Sequence, residues 1–197
     1  RKFPNACTGS FVDWEPIDTY IVRAADVRKV RPASSKDSLE QKDKMLAGEA
    51  VQFLTQQNPH AVFVYFGQVD EVGHRDGFHP SVPSYLQAIQ TVDVHIASLI
   101  GAIQSRPDHV QENWLIIIST DHGGRGRKHR GGHDVPEIVT TFLVVSGKDS
   151  MKGEIEEPSY IVDVPVIALT HLGVPIEGAW QLDGKAVGVR QEFRNNQ

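Results

Sequence analysis

Three continuous apolar runs constrain the fold of this chain more than any other feature of its sequence. They are residues 61–66 (AVFVYF), 114–118 (WLIII) and 141–145 (TFLVV). A strand covered on both faces has no polar face, so its residues are apolar in a continuous run and do not alternate between apolar and polar. The sequence therefore predicts three strands that are buried on both sides within a layered structure.

Helical segments separate these strands. Residues 39–57 follow Ser38, a residue type that caps helices, and Pro59 ends the segment. Residues 81–105 carry apolar side chains at helical spacing, and residues 162–172 predict a shorter helix. Buried strands that alternate with helices are typical of an α/β fold, and we expect a three-layer sandwich with a largely parallel sheet flanked by helices.

The outer parts of the chain are less regular. Residues 8–12 and 26–30 predict short strands, with a turn or short helix between them, and residues 31–38 predict a loop. Residues 182–189 predict an edge strand or a tail. With 197 residues the chain is long enough for one domain with a real core, so we expect residues 1–197 to form a single α/β domain.

Composition excludes several classes of function. The chain is 40% hydrophobic and 23% charged with a net charge of −5, which argues against binding of a nucleic acid polymer. Cys7 is the single cysteine, so the sequence predicts neither an internal disulfide nor a site with several thiolate ligands. No apolar run approaches the ~18 residues of a membrane span, and no signal peptide is expected at the start of this sequence.

Two clusters of acidic and histidine residues follow buried strands. Asp70 and His74 come shortly after the first apolar run, and Asp121 and His122 come directly after the second, with His129 farther along a glycine-rich segment. Carboxylate oxygens and imidazole nitrogens are ligands of divalent transition metals. If the two strands are parallel, both clusters lie at the same edge of the sheet, where sites form in open α/β sheets.

The remaining polar residues near these clusters allow two interpretations. A basic run beside the second cluster includes Arg125 and Arg127; it is either a solvated loop or a means of attracting an anionic substrate. Two histidines close to the clusters, His79 and His133, are intermediate candidates for ligands. The other histidines are expected to be structural or solvated, and they are His60, His95, His109 and His171.

At these residues the chain resembles the alkaline phosphatase superfamily, in particular its type I phosphodiesterase/nucleotide pyrophosphatase and sulfatase-like branches. Residues 66–74 (FGQVDEVGH) resemble the Asp-x-x-Gly-His metal motif of the family, and residues 119–129 (STDHGGRGRKH) resemble its Asp-His-Gly motif with a downstream histidine. The segment from residue 162 to residue 184 resembles the closing segment of the family.

The resemblance implies a set of metal ligands. Asp70, His74 and His129 would hold one divalent ion, and Asp121 and His122 would contribute to a second, with zinc the expected metal. His133 is a rival to His129 for the place of the downstream histidine. A glycine-rich pattern of Asp-His-Gly-Gly-x-Gly-x-x-His favours His129.

The resemblance also implies a reaction. Its members carry a Ser or Thr nucleophile and a further metal-binding Asp in an N-terminal half, and no segment here matches that half. We therefore expect the chain to be the C-terminal part of a larger metal-dependent hydrolase of small anionic phosphate esters, inactive on its own. The alternatives are a sulfatase-like hydrolase and a catalytically inactive relic that still binds metal.

Overall fold

The computed structural model describes residues 3–31 and 36–190 of the chain. It divides the chain into two compact units. The first unit comprises Arg1–His109 and Arg125–Lys128, and the second comprises Val110–Gly124 and His129–Gln197. Part of the loop predicted at residues 31–38 lies outside the described residues.

The first unit is built on a parallel sheet of three strands. The strands are β1 (Thr8–Val12), β2 (Val27–Val30) and β3 (Ala61–Tyr65), in the order β2-β1-β3. Both neighbours of β1 run parallel to it. The structure therefore confirms the α/β class and the parallel sheet. A single π-helical turn (Ile17–Ile21) lies between β1 and β2, where a turn or short helix was predicted.

Three helices complete the first unit: α1 (Leu39–Gln56), α2 (Gln68–Asp76) and α3 (Pro83–Gln104). A capping box closes the start of α1, in which the Ser38 hydroxyl accepts from the backbone N–H of Gln41 and the Gln41 side chain accepts from that of Ser38. These bonds satisfy donors that have no partner within the helix. The start of α1 is therefore where the sequence predicts it.

The core of this unit lies between α1 and β1. Phe11 of β1 and three residues of α1 are buried against each other, and the rings of Phe11 and Phe53 are 5.6 Å apart. The strand β3 departs from the prediction, because Phe63 is 42% exposed. Among the described strands β3 pairs only with β1, so it forms one edge of this sheet instead of its interior.

The helix α3 is long and apolar enough, by length and composition alone, to cross a membrane. Its most apolar stretch has a mean hydropathy of 1.3, and 17% of that stretch is buried. Within the first unit α3 packs against α1 and α2. The core helix of a globular unit meets the same criteria of length and composition.

The second unit contains a two-stranded antiparallel sheet. It pairs β4 (Leu115–Ser119) with β5 (Leu143–Gly147), so the prediction of a largely parallel sheet holds for the first unit and not for these two strands. A parallel pair needs a crossover, usually a helix. The α-helix between β4 and β5 is the single turn α4 (Pro136–Val139). It is too short for such a crossover, and β5 runs antiparallel to β4.

The last part of the second unit packs on this sheet. The helix α5 (Asp163–His171) begins within one residue of the predicted start, and its Ile167 is buried with Val187 and Val189. Of the two alternatives predicted for residues 182–189, the edge strand is not formed, and Val189 makes one isolated bridge to Ser150.

A partly buried hydrogen-bond network connects three segments of the second unit. Asp149 Oδ2 accepts from Asn113 Nδ2 at 2.7 Å and lies 3.0 Å from His171 Nδ1. The other ring nitrogen of His171 lies 2.9 Å from the carbonyl oxygen of Asn113. Because both ring nitrogens of His171 face protein oxygens, this histidine links the end of α5 to the segment before β4.

Candidate functional site

Asp70 and His74 lie on one face of α2, a helix that begins two residues after the last apolar residue of the predicted strand. Residues four apart on a helix are neighbours on its surface. Asp70 Oδ2 is 3.6 Å from His74 Nε2, and both side chains are partly exposed. The first acid-and-histidine pair is therefore brought together by local helical geometry.

A backbone carbonyl determines which nitrogen of His74 carries the proton. His74 Nδ1 lies 3.0 Å from the carbonyl oxygen of Arg127. A carbonyl oxygen only accepts, so Nδ1–H is the donor, and in the neutral ring the lone pair is then on Nε2. That lone pair is on the nitrogen beside Asp70. Metal-binding histidines are usually oriented in this way by a partner on their other nitrogen.

The carbonyl of Arg127 belongs to a tight turn of the first unit, residues 125–128. Arg125 and Lys128 exchange two backbone hydrogen bonds, and Gly126 between them has a φ of 61°, a conformation that favours glycine. The carbonyl of Gly126 accepts from the N–H of Phe78 at 2.7 Å. The turn is thus anchored just after the end of α2, through its backbone.

Aromatic side chains cover the same end of α2. The Phe78 ring meets His74 edge-on at 5.3 Å and Tyr85 at 5.7 Å. Burial, and secondarily the negative charge of Asp70, raises the pKa of the Tyr85 hydroxyl above its ordinary value. Tyr85 therefore stays neutral at physiological pH.

The second unit repeats the arrangement of His74. Asp121 and His122 follow β4, with His122 Nε2 3.9 Å from Asp121 Oδ2. His122 Nδ1 lies 2.8 Å from the carbonyl oxygen of Gly123, so the same argument puts the proton on Nδ1 and the lone pair on Nε2. In both units the candidate ligand nitrogen is the one beside the candidate carboxylate.

His129 lies against His122 in the second unit. The two rings are stacked with their centroids 4.1 Å apart and an interplanar angle of 29°. The rival His133 is exposed and lies in the single turn Gly132–Asp134. Within this unit the stacked ring of His129 therefore lies beside His122 of the second cluster.

Other histidines use their ring nitrogens differently. His60 Nδ1 accepts from the backbone N–H of Cys7 at 3.1 Å, and His79 Nδ1 accepts from the backbone N–H of Ser81 at 3.1 Å. His171 has both ring nitrogens against protein oxygens. His74 and His122 differ from these three histidines, because in each of them Nδ1–H donates to a backbone carbonyl and Nε2 lies beside a carboxylate.

The donor sets of the two pairs fit a divalent transition metal. Each offers an imidazole Nε2 and a carboxylate oxygen, the ligand types that zinc takes. The sequence did not predict that the carbonyls of Arg127 and Gly123 orient the rings, because every residue carries a carbonyl and no residue type marks these two. The glycine at position 126 was the one sequence signal for the turn that places the carbonyl of Arg127.

Comparison with known proteins adds an independent finding. Residues 7–152 match the family model for type I phosphodiesterase / nucleotide pyrophosphatase. The match covers about three-quarters of the chain and includes all the residues of both acid-and-histidine clusters. A search of curated proteins gives no match.

The tautomers inferred for the histidine rings are directly testable. In a two-dimensional ¹H–¹⁵N spectrum of the imidazoles above pH 8, His74 and His122 are expected to show the Nδ1–H form. His60 is expected to show the Nε2–H form, because its Nδ1 accepts a hydrogen bond. An Nε2–H signal from His74 or His122 would contradict the orientation described here.

Proposed function

The chain belongs to the type I phosphodiesterase / nucleotide pyrophosphatase family of phosphate ester hydrolases, and from this premise we propose that its part in hydrolysis is to hold divalent metal ions. We assign one ion to Asp70, His74 and His129 and a second to Asp121 and His122, with zinc as the metal. The resemblance of the two motifs to the superfamily supports this division of the ligands.

One observation carries the proposal. His74 and His122 both donate from Nδ1 to a backbone carbonyl and both hold Nε2 beside an aspartate. Two histidines with the same orientation, each in a motif of the family, favour a shared role as ligands over a role as solvated surface residues.

The residues of the chain have distinct tasks in this proposal. Bound divalent ions supply a Lewis acid for the phosphoryl oxygens and lower the pKa of a coordinated hydroxyl or water. Asp70 and Asp121 contribute negative charge, and the carbonyls of Arg127 and Gly123 keep the imidazoles in the form that binds metal. Protons compete for the same nitrogens and oxygens, so metal affinity falls in acid.

The proposed substrate is a small anionic phosphate ester. A net charge of −5 favours this over a nucleic acid polymer, and we place α3 as a helix of the first unit and not as a membrane span. Arg125 and Arg127 are the candidates for attracting the ester. We assign the nucleophile to none of these residues and propose that the chain by itself binds metal without turnover.

Loss of one proposed ligand is expected to weaken metal binding. Removing residues that merely orient a ligand costs 10- to 100-fold in metal affinity, so His74→Ala should lower zinc affinity by at least about 10-fold. Isothermal calorimetry on the whole chain measures this affinity. His60→Ala and His171→Ala are matched controls, and they are expected to bind zinc like the wild type.

Two results of that titration would contradict the assignment. One is unchanged zinc affinity in His74→Ala. The other is a clear loss of affinity in either control, which would mean that the ligands lie elsewhere.

The reaction is tested on the full-length gene product loaded with zinc. It is expected to hydrolyse bis(para-nitrophenyl) phosphate, to lose the activity on chelation, and to leave para-nitrophenyl sulfate unchanged. Because zinc both positions and polarises the ester, His74→Ala should reduce this activity at subsaturating zinc. Preferred cleavage of the sulfate would support the sulfatase-like alternative, and tight zinc binding without any turnover would support the inactive relic.

A further inference from the structure

Two buried carboxyl groups lie at the start of α2. Asp43 of α1 is fully buried, and Asp13, directly after β1, is 7% exposed. Asp13 Oδ2 accepts from the backbone N–H of Gly67 at 3.0 Å. Asp43 accepts from the N–H of Gly67 at 3.3 Å and from that of Gln68 at 3.0 Å. Both carboxyl groups therefore accept from the amide of Gly67, and Asp43 also accepts from the amide of Gln68.

These amides belong to the start of a helix, where N–H groups have no partner within the helix. The helix dipole also favours negative charge at this end. Because Asp13 follows β1 and Asp43 lies in α1, the pair joins the start of α2 both to the central strand and to the helix α1, which packs on that strand. The start of α2 is thereby held in position and orientation.

The two carboxyl groups share one proton at neutral pH. Burial, followed by the negative charge of Asp13, raises the pKa of Asp43 to about 8. Burial also raises the pKa of Asp13, and the hydrogen bond from Asp43 opposes that rise. The proton therefore resides on Asp43, which donates it to Asp13. The buried Lys42 adds a positive charge that favours ionised Asp13.

Gly67 permits this close arrangement. Its φ is −98°, which any residue can adopt, so backbone conformation does not require glycine here. A Cβ at this position would lie 2.4 Å from Asp13 Oδ2. The absence of a side chain is what allows the carboxylate to reach the backbone N–H.

We propose that Asp13 and Asp43 are positioning residues that orient Asp70 and His74 by holding the first turn of their helix. The expected effect of this positioning on metal binding rests on the proposed function. Asp70 and His74 lie on the nine-residue helix that follows Gly67. A displacement of its first turn moves both side chains relative to the carbonyl of Arg127.

A role in positioning explains why the pair is polar. Buried carboxyl groups are costly, and well-packed apolar residues usually stabilise a core at least as well. A buried hydrogen-bonded pair instead specifies one geometry, because a displacement breaks the bonds to the amides of Gly67 and Gln68. The pair is therefore better suited to fixing the direction of α2 than to raising stability.

The test compares two substitutions of Asp43 in the whole chain. Asp43→Ala removes the acceptor of the Gln68 amide and one of the two acceptors of the Gly67 amide. Asp43→Asn retains one acceptor oxygen for the amide of Gln68 and supplies an N–H in place of the shared proton, while Asp13 still accepts from the amide of Gly67. The control is Asp18→Asn, which alters another buried aspartate of the same unit that pairs with Arg28 and not with α2.

Two measurements report on the position of α2 without metal. They are the imidazole Nδ1–H signal of His74 and the hydrogen exchange of the Gly67 and Gln68 amides. Asp43→Ala is expected to shift or broaden the His74 signal and to speed exchange at the Gln68 amide by at least about tenfold, because that amide loses its acceptor. Asp43→Asn and Asp18→Asn are expected to retain the wild-type values. A wild-type His74 signal in folded Asp43→Ala would overturn the proposal.

Zinc affinity measures the consequence for binding. Because loss of an orienting partner costs 10- to 100-fold in metal affinity, Asp43→Ala should bind zinc about 10-fold more weakly, and Asp43→Asn should restore the affinity. If Asp43→Ala does not fold, Gly67→Ala replaces it, since its Cβ displaces Asp13 from the same amide. If the wild type does not bind zinc, the proposed function fails, and the His74 signal still decides the positioning role.

The proton shared by Asp13 and Asp43 predicts a pH dependence of the free energy of unfolding. Folded Asp43 keeps a proton up to about pH 8 that the unfolded chain releases near pH 4. The unfolded state thus binds fewer protons, and the free energy of unfolding falls as pH rises between these values. Urea unfolding from pH 5 to pH 8 should show a steeper fall for the wild type than for Asp43→Asn. Equal slopes would contradict the shared proton.

Discussion

Hydrogen bonds from histidine Nδ1–H to backbone carbonyls are the interaction on which the candidate site depends. A neutral imidazole has one lone pair, and the partner of the protonated nitrogen decides where that lone pair points. For His74 the partner is the carbonyl of Arg127, and for His122 it is the carbonyl of Gly123. Without these contacts an aspartate near the ring would not distinguish a ligand from a surface ion pair.

The helix α2 shows how such an orientation is maintained. A helix of nine residues has little stability by itself, so its position depends on tertiary contacts, which are its packing against α1 and α3 and the bonds at its two ends. Asp13 and Asp43 hold the amides at its start. At its other end, the N–H of Phe78 donates to Gly126 in the turn that also carries the carbonyl for His74. The helix is therefore held at both ends by parts of the chain that are distant in sequence.

The sheet of the first unit illustrates what hydrophobic patterns can and cannot predict. The run at residues 61–66 is the more apolar sequence, yet it forms the edge strand β3, and the less apolar Thr8–Val12 forms the centre. An apolar run indicates that a strand can be buried, but its neighbours are chosen by packing and register. The same reason explains why β4 and β5 pair antiparallel although their sequences suggested a parallel sheet.

The sequence by itself determined the α/β class, the positions of the main helices and strands, and the spacing that pairs Asp70 with His74. These properties follow from local periodicity and from residue type, which are written directly in the chain. Only the tertiary structure decided that Asp13 and Asp43 meet at Gly67 and that the carbonyl of Arg127 faces His74. Backbone amides and carbonyls are the same in almost every residue, so their partners depend on packing between distant segments and leave no local pattern in the sequence.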